Sequence, residues 1–457
     1  MHKTAVLNVV GLTPNLIGKN TPFLSEWTSR GKLAPVKSMI PAVTCSVQAT
    51  YLTGVLPDKH GIVANGWYFR DRDEIKFWRQ SNKLIQSPKI WEVLKKENLE
   101  FTCANLFWWY NMNSSVDYLV TPRPIYRADG VKIPDILTKP IDLRDELQNA
   151  LGQFPLFNFW GPNTTIHASQ WIADSAKITA EKYDPDLTLV YLPQLDYNLQ
   201  RVGPAHPDIA KDLAEIDDVC KELIEFYESR DTRVIILSEY GIEPANIPVS
   251  LNRVLRRNGY ITVREEMGGE ILIPGSSRAF AVADHQIAHI YIQNKSDIPQ
   301  VKSILEEIPG VETVLNDEGK KKYRLNHERA GELVAIAEPD TWFTYYYWLD
   351  DQKAPDFAPT VAIHTKPGYD PAELLMDPNI TFPKLKAGFR LLQKKFGFRY
   401  TMDLIPTDGS GIKGSHGRLA SSDLTGPMIS TRQTGLLPGN SLEPTDVFEV
   451  IYNHLNE

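Results

Sequence analysis

The sequence predicts an α/β fold: a mostly parallel sheet flanked by helices, carrying a smaller α+β insertion. Three observations predict it. Short β-branched runs without strict polar alternation, TAVLNVV near the N-terminus, LTLVYL from Leu187 and RVIILS from Arg233, have the texture of strands buried on both faces. Between the last two, HPDIAKDLAEIDDVCKELIEFYESR repeats apolar residues at helical spacing, with Pro207 and Asp208 suited to a helix start. Strand, helix, strand at this spacing is a crossover unit, and such sheets collect functional side chains just beyond the carboxyl ends of their strands. The segments GLTP, DYNLQ and EYG therefore fall on one rim.

A chain of 457 residues exceeds a single ordinary core, so a large domain with a substantial insertion is expected. Hydrophobic residues at 42% and charged residues at 23% are ordinary globular values, which excludes a disordered chain. The net charge of −8 and pI of about 5.8 spread no basic field over the molecule, which excludes extended nucleic-acid binding. Cys45, Cys103 and Cys220 lie far apart and form no CxxC pair, which argues against a disulfide framework and for a reducing, cytoplasmic setting. The N-terminus reads as a first strand, since it lacks the length and cleavage pattern of a secretory signal. No run approaches the ~20 apolar residues of a membrane span, so insertion is excluded and peripheral contact stays open. Oligomeric state is left open.

The texture changes near Tyr260. Beyond it HQIAHIYIQ reads as a strand, IPQVKSILEEI as a helix and GVETVLN as another strand, a β-α-β fragment suited to a small ferredoxin-like cap. The expected division is a core in two parts, 1–259 and 356–457, with the cap at 260–355. Aromatic clusters follow at Trp342 to Trp348 and, earlier, around Trp108 and Trp109; both suit packing or a platform for a ring. IHTKPGYDP, a basic and exposed stretch KLKAGFRLLQKKFGFR, and GIKGSHGRL complete the chain.

The most informative stretch is IPAVTCSVQATYLTGVLPDKHGIVANGWYFRD, from Ile40 to Asp71. Its threonine, the TG closing a helix, the P-x-x-HG and the following asparagine resemble the nucleophile region of the type I phosphodiesterase/nucleotide pyrophosphatase group, which includes phosphonoacetate hydrolases, in the alkaline phosphatase superfamily. Weaker similarity runs through LDYNLQRVGP, LSEYGI, GVETVLN and GSHG. The resemblance implies an alkaline-phosphatase-like core and a hydrolase in which a threonine attacks phosphorus between two zinc ions that neutralise the developing charge. Thr44 then looks like the nucleophile. Asn65 looks like the side-chain donor to a phosphoryl oxygen, assisted by backbone N–H groups at the start of the helix. Helix capping is the competing reading of Thr44.

The positions that would bind metal depart from the family's pattern. The first-strand aspartate is Val10; the D-x-x-x-H pair keeps Asp196 but has Gln200; SDHG has become SEYG, with Glu239 and Tyr240; only His416 stands unaltered beside Asp196. Two zincs do not suit so few ligands. The expectation is one divalent cation, Mg²⁺, Mn²⁺, Ca²⁺ or Zn²⁺, on Asp196, Glu239 and His416, with His364 or His285 completing the set. Tyr240, Gln200 and Lys366 are expected to contact substrate. His289 and His60 read as a core histidine and a turn-fixing one. Two functional readings stand: a phosphodiesterase or pyrophosphatase acting on a small phosphate- or phosphonate-containing substrate, and a catalytically silent or metal-independent member that binds or transforms a phosphorylated metabolite.

Overall fold

Eight strands make the central sheet of the computed structural model, which describes residues 1–128 and 131–457. In chain order they are β1 (Thr4–Val9), β2 (Lys32–Pro35), β3 (Cys103–Leu106), β4 (Tyr118–Pro122), β5 (Ile136–Lys139), β6 (Leu187–Leu192), β7 (Arg233–Leu237) and β8 (Met428–Thr431). Their spatial order is β2-β8-β7-β1-β6-β3-β4-β5. The five central strands, β7 to β4, run parallel, and antiparallel strands close both edges. Every residue of β1 and β6 is buried, which is why their sequences are near-continuous apolar runs instead of alternating ones.

Four helices position the site: α1 (Thr44–Thr53), α2 (His167–Tyr183), α3 (Gln194–Val202) and α4 (Ile209–Glu228). α4 is the helix expected between LTLVYL and RVIILS. It buries Leu213, Ile216, Cys220, Leu223 and Tyr227, the stripe its spacing dictates, and packs on α2 and β7. Each large apolar side chain so buried contributes about 1.5–3 kcal/mol. Although β6, α4 and β7 form the crossover, β1 lies between the two strands and pairs with both.

A second, antiparallel sheet stands beside the first, with Ala279–Asp284, Ile287–Ile292, Leu333–Ala337 and Val311–Leu315 in that spatial order. α5 (Ile298–Glu306) connects the second of these to the fourth. The third strand separates them, giving the split β-α-β arrangement. Its two faces join separate apolar clusters, one of which takes in Tyr345 to Trp348 from the aromatic run. Residues 342–348 are all buried, so packing is what they do. His289 accepts the Gly331 N–H and lies 3.0 Å from the Val63 carbonyl, a satisfied core histidine. His60 accepts the Ile62 N–H and meets Thr50, which fixes the turn after α1. α6 (Pro383–Lys395) lies on the surface with none of its residues buried, and α7 (Asp446–Asn456) ends the chain against α1 and β1. No helix among the described residues is long and apolar enough to cross a membrane.

Candidate active site

The rim expected beyond the strand ends is where the polar residues converge. β1 contributes Asn8; β6 turns at Pro193 into α3, which carries Asp196 and Gln200 on one face; β7 leads into Glu239 and Tyr240. Gly11 makes the turn after β1 at φ +77°, and a Cβ there would stand 3.1 Å from Leu199, so glycine lets β1 close against α3.

Thr44 is the first residue of α1 and caps nothing: Val43 is the N-cap and makes no side-chain bond. Its Oγ1 lies 2.9 Å from the Tyr240 hydroxyl, which in turn donates to Asp196 Oδ1 at 3.2 Å. Either hydroxyl can donate in the Thr44–Tyr240 contact; when the tyrosine proton goes to Asp196, the threonine is the donor. Gln200 donates to Asp196 Oδ2 at 2.7 Å, and Tyr369 donates to the Gln200 carbonyl at 2.9 Å. A single hydrogen-bonded line thus runs from the Thr44 hydroxyl to a buried carboxyl.

Both carboxyls of the rim are displaced upward by burial. Asp196 is pushed up to about 7, against the opposing bonds from Gln200 and Tyr240. Glu239 is pushed by burial to about 8, against the bonds from Gln48 and Asn8. The amides of Asn8 and Gln48 both donate to Glu239 Oε1, at 2.5 and 2.6 Å, leaving Oε2 without a partner among the described residues. That free oxygen is where the proton of the neutral acid belongs.

Rings join the rim to the smaller sheet. Tyr240 stacks on His416 (centroids 3.6 Å), His416 meets His285 (3.8 Å), and His285 stacks on Tyr369 (3.6 Å). His285 reaches this column from the tight turn between two strands of the second sheet, at φ +60°. His416 Nδ1 donates to the Ala42 carbonyl at 2.7 Å, so Nε2 is the bare nitrogen; it stands 3.7 Å from Asp196, beyond hydrogen-bond reach. Burial holds both imidazoles well below their usual range and therefore neutral.

Asn65 is turned toward the protein. Its Oδ1 accepts the Cys45 N–H at 3.0 Å, and both its backbone N–H and its Nδ2 donate to Asp284, at 2.7 and 3.1 Å. It thereby satisfies one of the free N–H groups of α1 beside Thr44. Lys366 departs from the expected substrate contact: its amine is buried between Asp370 (2.7 Å) and Glu373 (2.9 Å), because an unpaired ammonium there would be too costly. His364 departs from the expected ligand set. It sits on the cavity wall with Nδ1 3.4 Å from the Phe77 carbonyl and does not join Asp196 and His416.

Above Thr44 opens a cavity of about 1320 Å³. Thr44, Asp196, Tyr240, His285 and Tyr369 line its inner end; Trp78, Trp109 and Trp160 form aromatic walls; Arg72, Arg79, Arg123, Lys132 and Lys394 also line it. The site can hold an anionic group with an apolar or aromatic remainder.

A divalent metal pair does not suit these residues. Amide N–H groups from Asn8, Gln48 and Gln200 already donate to the two carboxyls where a cation would have to accept them. Among the described residues no group of three His, Cys, Asp or Glu side chains converges as a metal site requires. The position of the first-strand ligand is the fully buried Val10, which has no donor atom. Of the residues expected to hold one cation, Asp196, Glu239 and His416 meet at the rim, with Glu239 Oε2 and His416 Nε2 unpartnered among the described residues, and His364 stands apart.

Three members of that network were not anticipated as site residues. Asn8 was legible as the lone amide in an apolar strand, and Gln48 as the residue one turn after Thr44 on the same helix face. Tyr369 carried no signal, since its partner Gln200 is distant in sequence.

The sheet rim with Thr44 at the head of α1 is the arrangement expected from the sequence resemblance, and comparison with known proteins shows the family. The chain matches the family described as Type I phosphodiesterase / nucleotide pyrophosphatase over residues 4–370, and it belongs to that family. It is 23% identical over 271 residues to ectonucleotide pyrophosphatase/phosphodiesterase 1 of Saccharomyces cerevisiae, covering 54% of this chain and 34% of that one. It is 24% identical over 256 residues to an uncharacterized pyrophosphatase/phosphodiesterase of Schizosaccharomyces pombe, covering 52% and 42%. The match therefore spans less than half the length of these relatives. Among solved structures, phosphonoacetate hydrolase of Sinorhizobium meliloti with phosphonoformate aligns at TM-score 0.64 and 14% identity, covering 99% of this chain and 96% of that one. Murine ectonucleotide pyrophosphatase/phosphodiesterase 5, an inactive variant with AMP, aligns at TM-score 0.60 and 13% identity, covering 100% and 95%. These likenesses establish the alkaline-phosphatase-like fold.

Proposed function

We propose that the protein is a phosphodiesterase- or pyrophosphatase-like enzyme that acts on a small phosphate- or phosphonate-containing substrate, with Thr44 as nucleophile in a hydrogen-bonded site. The observation that carries this is the line Thr44–Tyr240–Asp196 at the head of α1. As the Thr44 oxygen bonds to phosphorus, the leaving group's P–O bond breaks and its oxygen departs with the bonding pair, as an aryloxide or protonated by water, while the threonine proton passes to Tyr240 and the tyrosine proton to Asp196. Asp196, poised at about 7, is a base of suitable strength near neutral pH. Glu239, neutral below about 8, supplies a donor beside Thr44, and the N-terminus of α1 adds its partial positive charge. Water then attacks phosphorus and the Thr44–phosphorus bond breaks; Thr44 takes back the proton held on Asp196 through Tyr240, and the water's own proton passes to solvent. The aromatic walls take the substrate's apolar part. Cys45, Cys103 and Cys220, buried and free, fit the cytoplasm.

One observation favours the second reading, binding without turnover. Lys366, the cation expected to contact substrate, is held between two carboxylates. The deciding experiment is metal analysis of protein purified without chelator, together with an aryl phosphodiester assay of wild type and Thr44→Ala. Turnover that Thr44→Ala abolishes, with little change in Tm and no stoichiometric metal, supports the proposal. A variant that keeps its activity but loses stability returns Thr44 to a structural role. Stoichiometric zinc with turnover overturns the metal-independent route, and an inactive wild type that binds phosphorylated metabolites supports the second reading.

A further inference from the structure

The surface helix α6 has an apolar stripe turned to solvent. Leu385, Phe389, Leu392 and Phe396 follow one another at steps of four, three and four residues, which places them on one side of a helix. They are 70, 57, 48 and 68% exposed. Phe382 and Phe398 extend the stripe at either end, also exposed. So continuous an apolar surface on a single element is a contact surface, since scattered exposed residues do not share a face.

Its surroundings say what it meets. From Thr381 to Met402 the chain holds Lys384, Lys386, Arg390, Lys394, Lys395 and Arg399 and no acidic residue, although the whole protein carries −8. Asp403 pairs with Lys386 and Arg390 on one flank of the helix. Lys384, Lys395 and Arg399 make no ion pair among the described residues, and long basic side chains beside an apolar stripe can extend to anionic headgroups while the stripe enters the apolar layer. On a third side of α6, Ala387, Leu391 and Lys394 line the large cavity together with Tyr400 and Met402. Ala387, Leu391 and Lys394 lie on the face of α6 opposite the stripe, so the helix is a wall of the cavity whose outer side carries the stripe.

We propose that α6 and its flanking phenylalanines seat the protein on an anionic lipid bilayer, lying in the interface without crossing it, so that this side of the cavity faces the headgroup layer. Charge complementarity selects the bilayer over a neutral apolar partner, and juxtaposition with the cavity gives the contact a purpose. The seating is independent of the chemistry proposed for Thr44.

The test is co-sedimentation of the full chain with phosphatidylcholine vesicles, with and without phosphatidylglycerol. Binding should be at least ~10-fold tighter to the anionic vesicles and should weaken with salt. The triple variant Leu385→Glu, Phe389→Glu, Leu392→Glu changes only exposed positions and should keep its Tm while losing binding ~100-fold. Charge reversal at Lys384, Lys395 and Arg399 should abolish the preference for phosphatidylglycerol. Wild type that ignores every vesicle, or a triple variant that binds as wild type does, overturns the proposal. So does concentration-dependent self-association that the triple variant removes without any vesicle binding, because a second copy would then cover the stripe.

Discussion

Replacing Tyr240 with phenylalanine deletes one oxygen and breaks the proposed relay at its middle. The ring stays, so its stack on His416 at 3.6 Å is preserved, and Asp196 keeps its bond from Gln200 at 2.7 Å. What disappears is the link between Thr44 (2.9 Å) and Asp196 (3.2 Å). A positioned base contributes ~10²–10⁴ in rate, so kcat/KM should fall by that factor, about 3–5 kcal/mol in barrier height. The stability loss should be smaller, about 1–2 kcal/mol for one buried hydrogen bond, and Tm should drop by only a few degrees. The pH profile gives a second, independent readout. Asp196 must be ionised to accept the proton, so wild-type kcat/KM should rise with pH through about 7. The Tyr240 bond is one of two that hold this carboxyl down, and its loss should move the acid limb to higher pH. The assay is hydrolysis of an aryl phosphodiester across that range. A variant whose kcat/KM stays within about threefold of wild type, with an unmoved acid limb, would refute the relay.

Glu239→Gln keeps an acceptor for Asn8 and Gln48 and replaces the carboxyl proton with an amide donor, so stability should change by less than about 1 kcal/mol and metal content not at all. Loss of bound metal by mass spectrometry would make Glu239 a ligand. Lys366→Met strands Asp370 and Glu373 in the interior and should cost about 3–5 kcal/mol in denaturant unfolding, most of it recovered by adding Asp370→Asn and Glu373→Gln. A loss under about 1 kcal/mol would show that the triad is hydrated. Asp196 and Glu239 also set a pH dependence of stability. The unfolded chain releases their protons near pH ~4, whereas the folded protein retains them to about 7 and 8. The folded state binds more protons across that window, so their contribution is fully present below pH ~4 and declines as pH rises through 8. The double variant Asp196→Asn, Glu239→Gln should flatten this part of the Tm profile, and an unchanged slope would assign it to other groups.

The elements legible in the sequence were those whose pattern is local. Apolar runs announced β1, β6 and β7 because both faces of these strands are covered, and the stripe on α4 announced a helix of the right length. Thr44, Asp196, Glu239 and His416 could be singled out as candidates because they stand in short motifs that resemble the family's, two of them just beyond β6 and β7. Their bonds could not be read in the same way. Asn65 was expected to face substrate, but Asp284 and Cys45 occupy its polar atoms. Lys366 was expected to be free because the turn that buries it beside Asp370 and Glu373 is a tertiary feature. His285 enters the site on a positive-φ turn, and Tyr369 meets Gln200 across 169 positions. Such contacts depend on how two sheets are set against each other.

The column Tyr240–His416–His285–Tyr369 has a consequence for how this fold can be recombined. Its rings come from four separate stretches of chain, and Asp284, next to His285, also holds the asparagine that steadies the head of α1. Grafting the smaller sheet from a relative would therefore import a foreign wall of the cavity along with it. The transferable module is the sheet together with residues 65, 240, 369 and 416, and chimeras that respect only chain continuity should assemble with Thr44 out of line.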